Sequence, residues 1–207
     1  MEIVLARHGD PDYERDCLTN RGVWQAQRLA EYLDAYPLDA IYVSPLGRAQ
    51  ETCAFTAERQ RISPITVDWL TDFFVAVDVL ACNGDWSLSR GIMLPEGAEQ
   101  SRVLKKGFDE LLAGCGFVRE DHLYRVERGC GKRVAMFCHK GVIQTLLSHM
   151  LNWPQPAIYA ALEVNPAAFN HVAALEQNGL ASFQALALNT TVHLRTPLEF
   201  SRESDRI

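Results

Sequence analysis

Residues 2–9, Glu2-Ile3-Val4-Leu5-Ala6-Arg7-His8-Gly9, decide how the rest of the chain is read. Ile3 to Ala6 is a short, unbroken apolar run with two β-branched members, the pattern of a strand buried on both faces. It stops abruptly on a cation, an imidazole and a glycine. Leu18 to Tyr36 follows with apolar residues at helical spacing and Thr19 as a candidate cap, so the chain opens as strand, loop, helix. Asp39 to Val43 reads as a second buried strand. Ser44 and Pro45 then offer an N-cap and a first-turn proline to a helix running to about Arg59.

Further along, Ile65 to Val67 reads as a short strand inside a segment, Ser63 to Gly97, that mixes aromatics, Gly and Pro without clean periodicity. Glu96 to Ala113 has helical spacing, and Gly116 to Glu127 alternates like a hairpin with Glu120 and Asp121 near its turn. Arg133 to Cys138 is another buried strand. Gly141 to Leu151 is a helix that Asn152 and Pro154 end, and Ala167 to Leu175 with Ala181 to Leu188 are strands joined around Asn178-Gly179. Alternating strands and helices imply an α/β fold, a three-layer α/β/α sandwich around a largely parallel, mixed sheet. One domain over 1–207 is expected, with insertion or cap segments at about 68–95 and 114–130.

The 207 residues are 48% hydrophobic and 22% charged, a globular composition. A net charge of -6 argues against wholesale binding to nucleic acid or an anionic membrane, both of which reward clustered Lys and Arg. An anionic ligand therefore needs a local basic pocket. The opening residues lack a basic segment followed by a long apolar core, so neither a leader nor a membrane span is expected. Six cysteines, Cys17, Cys53, Cys82, Cys115, Cys130 and Cys138, show no CxxC pairing. Reduced thiols in a cytoplasm fit them best, with a Cys115–Cys130 bridge as the less favoured alternative.

Ligands of such sheets lie beyond the carboxyl ends of the strands. Three stretches fall there: Arg7-His8-Gly9, Ser44-Pro45-Leu46-Gly47-Arg48 and His139-Lys140-Gly141. Two imidazoles and two guanidinium groups thus converge on one crevice. Arginine presents a rigid fork of donors that matches phosphate oxygens, and an imidazole with a free ring nitrogen can attack phosphorus. Gly9 is read as allowing a sharp turn and close approach of substrate to the backbone. Each piece alone has a plain structural reading as a strand-end turn, a helix start or a solvated charge; their joint placement at successive strand ends carries the inference.

These residues resemble the histidine phosphatase superfamily, the phosphoglycerate mutase-like proteins, whose signature is Arg-His-Gly near the N-terminus. The resemblance extends through Leu18-Thr19-x-x-Gly22-x-x-Gln25-Ala26, Ser44-Pro45-Leu46-x-Arg48-Ala49-x-x-Thr52 and His139-x-Gly141-Val142-Ile143, and touches Pro95-Glu96-Gly97 and Leu188-Asn189 with His193. It implies that His8 attacks phosphorus, that a carboxylic acid protonates the leaving oxygen, and that water hydrolyses the phosphohistidine. Arg7, Arg48 and a protonated His139 would grip the phosphoryl oxygens, with Gly9, Arg15 and Lys140 toward substrate. The other ring nitrogen of His8 should then donate to a fixed acceptor, expected to be a backbone carbonyl. No metal and no cofactor are implied. The partner is a small phosphorylated substrate, not nucleic acid or a membrane, and a homodimer is compatible with the sequence.

Two positions depart from the family pattern. The acid is commonly a glutamate in a Leu-x-Glu context, which here reads Leu70-Thr71-Asp72, so Asp72 is the candidate, with Asp78 and Asp85 in reserve. Phe73, Phe74 and Trp86 are candidate apolar walls for it, and the aromatic stretch from Trp69 to Trp86 is read as a lid or a plug. Glu14 stands where many members carry a phosphate-contacting asparagine, which favours hydrolysis over mutase activity and leaves the 10–15 loop either repositioned, with Tyr13 or Arg15 toward substrate, or a solvated turn. Two other classes compete. His8-x-Asp10-x-Asp12 offers hard ligands to a divalent cation, and a silent phospholigand-binding module would keep Arg7, Arg48 and His139 without an effective acid. His122, His149 and His171 read as structural, and His193 as a support to the site.

Overall fold

The computed structural model describes residues 1–73 and 95–195. The strand of the opening motif, β1 (Glu2–Arg7), lies at the middle of an eight-stranded sheet. In chain order there follow β2 (Pro11–Asp12), β3 (Cys17–Leu18), α1 (Asn20–Leu33), β4 (Ala40–Val43), α2 (Gly47–Gln60), β5 (Ile65–Thr66), α3 (Pro95–Gly114), β6 (Phe117–Glu120), β7 (Leu123–Val126), β8 (Arg133–Cys138), α4 (Lys140–Leu151), α5 (Gln155–Ala161), β9 (Phe169–Gln177) and β10 (Leu180–Thr190). The sheet order is β5-β4-β8-β1-β9-β10-β7-β6. Its first four strands are mutually parallel, and β9, β10, β7 and β6 complete it by antiparallel pairings. The sheet is mixed, and its parallel half carries the motifs at the strand ends.

Period-two alternation sorts the central strands between two cores. Ile3 and Leu5, with Val134, Met136 and Cys138, face Leu104, Phe108, Leu112, Val142, Leu146 and Met150 of α3 and α4. Val4 and Ala6, with Ala135 and Phe137, face Leu29, Leu33, Ala49, Cys53 and Ala57 of α1 and α2. Both faces are covered, so these strands read as continuous apolar runs. Burying each large side chain contributes about 1.5–3 kcal/mol.

Several local signals act as expected. Thr19 accepts the Gly22 N–H at 3.1 Å and caps α1, a contact worth about 1 kcal/mol. Asn152 ends α4 in the left-handed conformation, φ 54°. Asn178 and Gly179, at φ 53° and 77°, form the two-residue turn between β9 and β10.

Others are corrected. Ser44 does not cap α2: the helix starts at Gly47, Leu46 precedes it without a side-chain bond, and Pro45 lies outside. Leu18 belongs to a two-stranded ribbon with β2, too short to leave a periodic signal, rather than to α1. The 114–130 stretch, expected as an insertion or cap, forms the β6–β7 hairpin that extends the main sheet through β10 and buries Phe117 and Tyr124. Cys17, Cys53, Cys115, Cys130 and Cys138, by contrast, are the free thiols that the sequence reading favoured over a Cys115–Cys130 bridge. No helix among the described residues is long and apolar enough to cross a membrane.

Candidate active site

Sheet register brings the three motifs together. Arg7 pairs with Cys138 and Val43 with Phe137, so β1, β4 and β8 end side by side. Just beyond, the His8 N–H donates to the Cys138 carbonyl and the Ser44 N–H to the Phe137 carbonyl, each at 3.0 Å. The His8 and His139 rings stand 5.2 Å apart, both essentially buried.

His8 Nδ1 lies 2.7 Å from the Gly9 carbonyl oxygen. A carbonyl only accepts, so Nδ1 carries the proton and Nε2 keeps its lone pair. This is the backbone acceptor that the chemistry called for. Burial, above all, pushes the imidazole down to about 4; the fields of Arg7 and Arg48 add to this, while the Gly9 bond and Asp16 oppose it. His8 is therefore neutral at pH 7, the form a nucleophile needs.

Gly9 has a packing task that the sequence reading did not include. Its φ is not positive, and a Cβ on it would sit 2.6 Å from the Gly22 carbonyl oxygen, while one on Gly22 would sit 2.2 Å from that of Asp10. The two glycines let the His8 loop pack backbone to backbone on α1. The Gly9 N–H donates to Thr52 Oγ1 at 3.0 Å, and that hydroxyl donates to the Arg48 carbonyl at 2.7 Å, tying the first motif to the second.

Around His8 stand three buried nitrogens with no hydrogen-bond partner among the described residues: Arg7 Nε, Arg48 Nε and His139 Nδ1, the last an N–H donor when the Ser44 hydroxyl donates to Nε2. Arg7 is aimed by a 2.7 Å bond from Nη1 to the Val164 carbonyl. Arg48 donates from Nη1 to Asp16 at 2.5 Å and from Nη2 to Asp72 at 2.8 Å. His139 shares a 2.8 Å bond with Ser44 through Nε2, and its Nδ1 is 3.6 Å from the Asp72 carboxylate. Burial, then the charges of His8, Arg48 and Arg7, push His139 down to about 2, so the ring is neutral in this state rather than the cation expected from sequence. It can still donate through Nδ1–H with Ser44 holding Nε2. Asp72 is half-buried, and desolvation raises its carboxyl against the opposing pull of Arg48 and Arg7. That direction suits an acid.

The remaining expected site residues lie apart. Arg15 is exposed, 3.9 Å from Asp12, whose carboxylate also takes the Glu14 and Arg15 N–H groups, making 12–15 a solvated turn. Lys140 pairs with Glu163 at 2.6 Å. Asp78, Asp85, Phe74 and Trp86 fall outside the described residues. The hard-ligand reading of His8, Asp10 and Asp12 does not assemble: Asp10 accepts from the Thr19 hydroxyl at 2.7 Å while Asp12 serves its own turn. No group of three or more His, Cys, Asp or Glu among the described residues is arranged to hold a metal ion. His193 packs against the touching rings of Tyr32 and Phe169, and burial pushes it down to about 4.

Sequence reasoning missed Asp16 and Ser44 as a partner of His139; Tyr13, read as one of two residues that could turn toward substrate, does stand beside His8. Tyr13 presents its ring edge to His8 at 6.4 Å, with the Arg48 guanidinium 5.3 Å from its centroid. An aromatic five residues past the histidine was a usable signal for Tyr13. Asp16 offered only its left-handed conformation, φ 51°, which Asp tolerates better than most residues.

A paired-imidazole, two-arginine crevice at parallel strand ends, with a carboxyl beside it, has the donors and the nucleophile that phosphoryl chemistry calls for. Residues 3–76 match the family model described as Histidine phosphatase superfamily (branch 1). It is 23% identical over 177 residues to an adenosylcobalamin/alpha-ribazole phosphatase of Escherichia coli (strain K12), covering 77% of this chain and 83% of that one. Two solved structures share the fold. A mycobacterial glucosyl-3-phosphoglycerate phosphatase complexed with VO3 superposes with TM-score 0.67 at 18% identity, covering 91% of this chain and 98% of that one. A phosphoserine phosphatase from Entamoeba histolytica in complex with 3-phosphoglyceric acid gives 0.66 at 18%, covering 94% and 99%.

Proposed function

We propose that the protein is a metal-independent phosphomonoester hydrolase that works through a phosphohistidine on His8 and acts on a small phosphorylated metabolite. The observation that carries this reading is the constellation itself. A neutral imidazole with its tautomer set by Gly9 stands among three buried, unpartnered N–H donors, and leaving such donors unbonded costs about 1–3 kcal/mol each. A dianionic phosphoryl group supplies the missing acceptors, and its developing equatorial charge is what those donors stabilise in the transition state.

In the first step the His8 Nε2 lone pair attacks phosphorus in line with the leaving oxygen, which takes a proton from Asp72. In the second, the Asp72 carboxylate accepts a proton from the attacking water as the P–N bond breaks, releasing inorganic phosphate and regenerating both groups. Relatives named as phosphatases support hydrolysis over mutase transfer. The test is hydrolysis of an aryl phosphate by wild type and His8→Ala, with and without chelator. Chelator-resistant turnover that falls at least about 1,000-fold in His8→Ala is expected. Chelator-sensitive turnover surviving in His8→Ala would overturn the reading and favour a metal-dependent hydrolase.

A further inference from the structure

Arg48 is held by two carboxylates that are built differently. Asp16 is fixed. It takes the Gly47 N–H at 2.6 Å at the start of α2, where Leu46 offers no side chain, and so supplies from another segment the cap the helix lacks. Its backbone carbonyl presses so closely on Gly47 that a Cβ there would stand 2.1 Å away. Desolvation works against its charge, but the Gly47 amide and Arg48 outweigh it and hold the carboxyl below its ordinary value. Asp72 has a lighter anchor, the backbone N–H of the adjacent Phe73. It lies beyond a short 3-10 turn (Asp68–Leu70), is 35% exposed, and its carboxyl is raised rather than lowered.

The two also take different parts of the guanidinium. Asp16 holds Nη1. Asp72 holds Nη2, which shares one edge of the group with Nε, and Nε is buried and unpartnered. That Nε–Nη2 edge is the one that can grip two oxygens of a single phosphoryl group side-on.

We infer that Arg48 is handed over during the reaction: Asp16 keeps Nη1 throughout, while an arriving phosphoryl group displaces Asp72 from the Nε–Nη2 edge and Asp72 then takes up a proton. This deepens the proposed function and rests on it. The displaced carboxylate loses its closest cation and gains a dianion as neighbour, and both changes favour its neutral form. The proton comes from solvent on binding and is the one later given to the leaving oxygen, so substrate arrival itself arms the acid. Asp16 acts as a positioning residue. It fixes the guanidinium plane through Nη1 and offsets part of its charge, which lets inorganic phosphate leave; grip that is equal for substrate and product slows release without aiding the chemical step. The other ionisable groups facing Asp72 among the described residues are Arg7, His139 and, at longer range, the buried Cys138 thiol.

Tungstate, a phosphate-shaped dianion without a titrating proton near neutral pH, is the probe. Calorimetric titration at pH 7 in buffers of different ionisation enthalpy reads affinity and proton uptake together. Wild type is expected to take up close to one proton, Asp72→Asn to bind with almost none, and Asp16→Asn to keep the uptake while binding about 5- to 20-fold more tightly, since the amide removes the charge and keeps an acceptor for only one of the Gly47 and Arg48 donors. Asp16→Glu should restore wild-type affinity. Uptake that survives in Asp72→Asn would assign the proton to His139 or His8 and overturn the hand-over, and unchanged affinity in Asp16→Asn would reduce Asp16 to a helix cap. Wild type that binds tungstate without proton uptake overturns the hand-over and leaves the phosphohistidine reading standing; wild type that does not bind tungstate overturns both.

Discussion

Acid should destabilise this protein steeply, and the site is the reason. His8 and His193 are held neutral with values near 4, and His139 near 2, against 6.5 for the free side chain. A base whose folded value is depressed binds fewer protons folded than unfolded. Stability is therefore complete above about pH 6.5 and is lost as pH falls toward the folded values. A histidine moved from 6.5 to about 4 gives up roughly 2 kcal/mol by pH 5. Between pH 6 and 5 the three together should give a slope of about 3–4 kcal/mol per pH unit. Glu2 and Asp16, held below their ordinary values, lose their contributions only at lower pH, and Asp72, raised, works in the opposite direction. The slope from pH 6 to 5 therefore reports the imidazoles. The assay is denaturant unfolding at half-unit pH steps for wild type and His193→Phe, whose ring can pack against Tyr32 and Phe169 without titrating. The variant should lose about a third of the slope. A wild-type slope below about 1 kcal/mol per pH unit, or a variant with the wild-type slope, would refute the reasoning.

Three further outcomes follow from the packing around His8. Gly22→Ala places a Cβ 2.2 Å from the Asp10 carbonyl oxygen, so it should cost about 1–3 kcal/mol in unfolding free energy and lower turnover at least about 10-fold by shifting the His8 loop, although α1 does not touch phosphorus. Thr52→Val keeps the shape but strands the Gly9 N–H; unfolding free energy should fall by about 1–3 kcal/mol, against near-neutrality if that bond is dispensable. Asp72→Asn should slow aryl phosphate hydrolysis by about 100-fold or more, with less effect on substrates whose leaving group needs no proton, a dependence that a purely structural Asp72 would not show.

Much of the fold is legible because period and punctuation agree. Ile3 and Leu5 oppose Val4 and Ala6, Thr19 precedes a helical pattern, and Asn178-Gly179 sits between two alternating runs. The site was legible as far as each motif stood at a strand end. What escaped was every long-range partnership. Ser44 followed by Pro45 looks locally like a helix start, yet its hydroxyl goes to His139, 95 residues away, and the α2 cap comes from Asp16. Gly9 reads locally as a sharp turn open to substrate, and that its missing Cβ makes room for Gly22 is not visible there. The charge state of His139 depends on burial beside two arginines, which no local pattern encodes.

The most direct measurement of the central claim is a rapid acid or alkali quench of the enzyme during turnover of a phosphoryl-labelled substrate, followed by mapping of the label. The account expects acid-labile, alkali-stable label on the peptide containing His8, bound to Nε2 and absent in His8→Ala. Label on another residue, or steady turnover with no labelled protein at any quench time, would contradict it.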